Sequence, residues 1–265
     1  MTVTIFSSQS TSGTPLDEGL PLPVYQEVLR AFSERVPEDL FRSICPEVLR
    51  QTLLHLDPML QGLSLFILQC TPPAADEPIR SLSMRLDQGI FSRVDEIPSS
   101  PLFFGAESLS AFAVISGHVA LVPSTPAPQE RQLFVNWNNA QSIVAYPIKH
   151  FGRCAGTLTA FSPFLLQESD LTLLQDAANL ISFAIPAQDF FASEQISFQV
   201  MPSIQAQIDY LSIYRQRFLT VVSEARRNGQ ELSISQAERF VMQQFERELI
   251  QLTRHQYAVS PHNFH

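Results

Sequence analysis

One tryptophan, three cysteines and nine glycines are all that a chain of 265 residues holds of these types, and lysine occurs only at position 149. Each scarcity removes something. A single lysine excludes most lysine-based catalysis. Cys45, Cys70 and Cys154 are odd in number and form no C-x-x-C pair, so they suggest neither a disulfide framework nor a zinc ribbon, and a reducing cytoplasm is the expected compartment. Nowhere do eighteen consecutive apolar residues occur, which excludes a bilayer-spanning helix, and no membrane partner is expected. The N-terminal stretch has no basic region followed by an apolar core, so no secretory signal is expected. Positive charge is also short: the net charge is −9, which opposes the phosphate contacts that nucleic acid would require. Phosphate-loop, H-E-x-x-H, G-x-S-x-G and EF-hand patterns are all missing. No catalytic residue, metal ligand or cofactor is therefore expected, and the chain reads as a non-enzyme.

What is present is a core. Apolar residues make up 45% of the chain and charged ones only 16%, the balance of a folding globular protein. Residues 1–22 are dense in Ser, Thr, Pro and Gly and read as a disordered tail. A domain follows over 23–187, opening with helical periodicity over 24–32 and 37–56. Pro46 predicts a break near Cys45, because proline inside a helix costs about 3 kcal/mol. GLSLFILQC (62–70) reads as a central strand and 79–87 as a second. Residues 107–117 fit a short helix and 118–122 a strand. SIVAYPIKHFGRCAGTLTAF (142–161) is a hairpin turning at Gly152, and 167–185 is an amphipathic helix capped by Ser169. Strands closed by a helix, with helices at the front, predict an α+β fold: an antiparallel sheet with helices on one face.

Three pieces in order carry a family pattern: S-I-V-A-Y-P-I (142–148), G-T-L-T-A-F-S (156–162) and the helix F-L-L-Q-E-S-D-L through Ile185. Together they resemble the second half of a GAF domain, with the resemblance spanning 38–187. It implies a sensory or regulatory domain that binds a small molecule, or binds nothing and serves as a dimer scaffold. Departures narrow the ligand. Asn138 is followed by Asn139 rather than lysine, and Phe164 by Glu168–Ser169, which disfavours a cyclic nucleotide. No cysteine precedes a histidine, which disfavours a bilin. The GAF-like methionine sulfoxide reductases are similar in fold, but the cysteine spacing here does not match theirs.

Alternation places Leu158 and Ala160 on the face packed by the closing helix. The opposite face is assigned Ser142, Val144, Tyr146, Thr157, Thr159 and Phe161, an apolar surface with a few hydroxyls, as a ligand pocket would show. Threonine also favours half-solvated strands, and both readings stand at this point. Trp137 is a candidate stacking lid or loop anchor, and His118 a candidate hydrogen-bonding group. Residues 188–265 form a helical extension: a helix over 203–228, and a second over 235–253 opened by a Ser235–Glu238 capping box. A DNA-reading helix-turn-helix is disfavoured by the long turn and balanced charge. Dimerisation or docking is expected instead, with a homodimer and a downstream protein as partners.

The leading expectation is a bacterial signalling or regulatory GAF-like protein that takes a small-molecule effector and relays its state through the C-terminal helices. The alternative is a ligand-free interaction or dimerisation scaffold. A GAF-like thiol enzyme or a transcriptional regulator is the lesser alternative.

Overall fold

A computed structural model describes residues 4–6, 19–74, 77–89, 102–122 and 140–259. The chain is α+β. Among the described residues the strands are β1 (Thr4–Phe6), β2 (Ser64–Cys70), β3 (Leu82–Gly89), β4 (Phe103–Phe104), β5 (Val119–Val122), β6 (Ser142–His150) and β7 (Arg153–Ser162). They form one sheet in the order β1-β5-β6-β7-β2-β3-β4, and every neighbouring pair is antiparallel.

Period-two alternation decides the layering. Leu65 and Ile67 of β2, Val144 and Tyr146 of β6 and Leu158 and Ala160 of β7 join one apolar cluster with α1 (Leu22–Glu34), α2 (Pro37–Leu56) and α4 (Glu168–Ser182). Their in-between neighbours Phe66, Leu68, Ile143, Ala145 and Phe161 join a second cluster with α3 (Leu109–Ser116). Helices α1, α2 and α4 thus cover one face, as the α+β reading expects, and α3 covers part of the other.

Some local expectations are corrected. Thr4–Phe6, assigned to a disordered tail, pairs with β5, because a short apolar, β-branched run meets an open edge. Helix α2 runs through Pro46 without a break; burial of Ile44, Cys45, Val48 and Leu49 around it outweighs the donor that position 46 withholds from the Arg42 carbonyl. The α4 cap is Gln167, whose amide donates to the Asp170 carboxylate at 2.7 Å, so the helix starts before Ser169.

The C-terminal region is stitched into the sheet. Ile79 pairs with Ile196, Gln199 donates its amide to the Arg80 carbonyl, and Ala106 donates to the Gln199 carbonyl. Gly105 permits that approach, since a Cβ there would stand 1.9 Å from the Gln199 oxygen. Beyond this strap lie α5 (Ile204–Leu211), α6 (Tyr214–Arg227) and α7 (Ile234–Val259). The expected single helix over 203–228 is broken at Ser212–Ile213 because its halves have different anchors. Gln207 of α5 holds both backbone groups of Phe103 at 2.8 Å, filling in for a strand at the β4 edge. Arg217 of α6 holds Glu248 of α7. The cap of α7 is Ser233 with Gln236, two residues earlier than the Ser235–Glu238 pair.

Candidate functional site

The β6–β7 hairpin supplies the candidate residues, and its register sorts them. Ala145 faces Thr159 across the pair, Val144 faces Ala160, and Tyr146 faces Leu158. Side chains opposite one another share a face. Thr157, Thr159 and Phe161 therefore lie on the α3 side, while Val144 and Tyr146 lie on the α4 side with Leu158. The expected pocket face is corrected: the sheet itself separates its members. The cause is a one-residue register shift between Ile148 and Lys149 that alternation within each strand cannot reveal.

On the α3 side the hydroxyls meet one another. Thr159 lies 2.9 Å from the Ser110 hydroxyl of α3 and 3.0 Å from Thr157, with Thr157 fully buried. Phe161 packs edge-on against Phe66, ring centroids 5.7 Å apart. On the other side Ser142 accepts from the Leu166 amide at 3.1 Å and fixes the approach to α4. Burial pushes the Tyr146 phenol up to about 12. His118 stands apart and exposed, its ring bonded to the Ser116 carbonyl. Trp137 lies outside the described residues.

The thiols are buried. Cys45 lies on the buried face of α2 in the first cluster, whereas Cys70 and Cys154, distant in sequence, enter the second cluster together. Burial raises all three thiols, Cys154 to about 11 and the other two well above the ordinary range, so each is protonated at neutral pH. Among the described residues no three His, Cys, Asp or Glu side chains gather to hold a metal ion, and no helix is long and apolar enough to cross a membrane.

A polar site that sequence reasoning missed joins α7 to the sheet. Glu246, one of the acidic residues behind the balanced charge of the C-terminal helices, is buried and accepts from Ser81 Oγ at 2.6 Å and Arg80 Nη2 at 3.1 Å. Ser81 in turn shares a 2.8 Å bond with Thr71. Arg80 also pairs with Glu77 at 3.2 Å, and Glu77 with Arg247. Burial, ahead of any partner, raises the Glu246 carboxyl. A signal existed: Met242, Glu246 and Ile250 fall at four-residue intervals, so the carboxylate sits on the apolar stripe of α7. Around it Phe103, Met201, Leu211, Val241, Phe245 and Leu249 form a third cluster. The apolar stripes expected to pair with a second copy are used inside the chain. Along one face of α6, Leu219 and Val222 lie between Arg215 and Arg226.

No family model and no curated protein matches the chain. Solved structures similar to it include the type II free methionine-R-sulfoxide reductase from Thermoplasma acidophilum, at 17% identity over 58% of this chain and 99% of that one, TM-score 0.40. They also include the GAF domain region of a Geobacter sulfurreducens membrane protein, at 20% identity over 59% and 96%, TM-score 0.40. A third is the GAF domain from Acinetobacter phosphoenolpyruvate-protein phosphotransferase, at 14% identity over 62% and 90%, TM-score 0.43. Likenesses this distant transfer no residue role. The expectation of a non-enzyme is corrected nonetheless: reductases stand beside GAF domains among these structures, so this architecture gives no ground for excluding catalysis.

Proposed function

We propose that the chain is a regulatory protein-interaction module whose sheet is a packed platform and whose C-terminal helices offer the surface a partner meets. The observation that carries this reading is the bonded row Ser110–Thr159–Thr157. The strand hydroxyls that an effector pocket would leave free for its ligand are taken up by one another and by α3. Further support comes from the open side of α6, with Leu219 58% exposed between two arginines in a chain of net charge −9.

The double variant Thr157→Val, Thr159→Val tests it. Removing both hydroxyls leaves the buried Ser110 hydroxyl short of its partner, at a cost of about 1–3 kcal/mol. Urea melts should therefore show a loss of stability, while a thermal-shift screen of metabolites should find no compound that stabilises the wild type and fails on the variant. A compound with that selectivity would return the site to the effector-binding reading.

A further inference from the structure

The β6–β7 hairpin ends in a two-residue turn, Phe151–Gly152, between paired His150 and Arg153. Both turn residues have positive φ, 47° for Phe151 and 75° for Gly152. Such turns favour Asn-Gly or Asp-Gly, since a bulky side chain crowds the backbone in the left-handed region. Glycine fits its place. Phenylalanine does not, and it is not compensated by burial: Phe151 is 93% exposed, the highest value among the large apolar side chains of the described residues. Folding alone gives no reason for this residue at this position.

The apex is held firmly. Behind it Cys154 exchanges both backbone hydrogen bonds with Phe191, and Lys149 Nζ donates to the Gly117 carbonyl at 2.8 Å. The His150 ring lies 5.5 Å from the buried Phe190 and 4.3 Å from Phe151 itself. Two residues to either side of Phe151 along the hairpin come Lys149, the chain's one lysine, and Arg153, both exposed. An acidic protein thus carries, at a rigid convex tip, one protruding aromatic ring flanked by two cations.

We propose that this tip is an insertion point for an anionic lipid surface, Phe151 entering the interfacial layer and Lys149 and Arg153 meeting the headgroup phosphates. The shape favours a bilayer over a protein groove. A convex apex with a single ring needs a medium that yields around it, whereas a protein would need a matching acidic cup. Aromatic rings partition to the headgroup boundary, and lysine and arginine stems lie along the apolar layer while their charges stay in water. The charge of −9 on the whole chain does not forbid the contact. Screening confines electrostatics to about 8 Å at physiological ionic strength, so the tip's own charge governs.

Cosedimentation of the full-length protein with vesicles tests this, using equal parts phosphatidylserine and phosphatidylcholine against phosphatidylcholine alone. The wild type should bind the mixed vesicles, release in high salt, and bind pure phosphatidylcholine several-fold less. The variant Phe151→Asn restores the preferred turn and should melt above the wild type, yet its partition onto mixed vesicles should fall by about tenfold or more, the loss expected for one buried aromatic ring. The pair Lys149→Gln, Arg153→Gln should lose the phosphatidylserine preference and the salt dependence. A wild type that leaves both vesicles in the supernatant overturns the proposal and leaves the apex to a protein partner. So does a Phe151→Asn protein that binds as the wild type does, or one that melts lower.

Discussion

Arg80 and Glu246 form one ion pair, but they are not equally placed: the arginine side chain is 20% exposed and the glutamate 2%. Removing either member therefore does different damage. In Glu246→Ala, Arg80 keeps Glu77 and a path to water, and Ser81 keeps Thr71. In Arg80→Ala, the Glu246 carboxylate stays buried with only a hydroxyl as donor, and a buried charge stripped of its partner costs roughly 3–5 kcal/mol. We expect Arg80→Ala to be the more destabilising of the two at neutral pH in urea unfolding. Equal losses would mean that the packing of α7, not the charge pair, sets the cost.

At the scale of elements, α2 shows how packing overrides local preference. Pro46, the tenth residue of the helix, withholds one backbone donor, yet the helix spans Pro37–Leu56 intact. It is held by Ile44, Val48 and Leu49 pressed into the first cluster. The proline is half-buried at the flank of this contact, so alanine there restores the donor to the Arg42 carbonyl without removing a core side chain. Pro46→Ala should raise stability by about 1–3 kcal/mol, the larger part of the penalty for an interior proline. Guanidinium melts would show it as a higher midpoint at unchanged slope. The β4 edge makes the same point in reverse: two strand residues alone are too short to stand, and Phe103 is a strand residue because Gln207 completes its hydrogen bonds.

For the molecule as a whole, the C-terminal helices are part of the core rather than an appendage to it. Truncation before residue 188 would expose Leu102 and Phe103, buried to 4% and 1% exposure. It would also strip the backbone partners from Ile79, Arg80 and Ala106 and remove the carboxylate bonded to Ser81. A chain ending at residue 187 should be aggregation-prone and melt well below the full-length protein. The full-length chain should unfold in one calorimetric transition seen equally by near- and far-ultraviolet circular dichroism. Two separated transitions would show instead that the extension is an independent unit.

The sequence by itself determined which segments are strands and which are helices over most of the domain. The alternation of 142–161 and the 3.6-residue stripe of 167–185 are local consequences of backbone geometry. It determined which face of β7 meets α4, because Leu158 and Ala160 could pack nowhere else. Alternation also runs true within β6, yet the offset between β6 and β7 is set by the turn at Phe151–Gly152 and the irregularity at Ile148–Lys149. Only the folded sheet could place Tyr146 opposite Leu158 rather than beside Thr157. Tertiary structure alone likewise decided that Ser110 would answer Thr159, that Cys70 and Cys154 would share a cluster, and that Glu246 would be buried. Each of these joins residues from separate elements, and such distances belong to the packing of the whole chain.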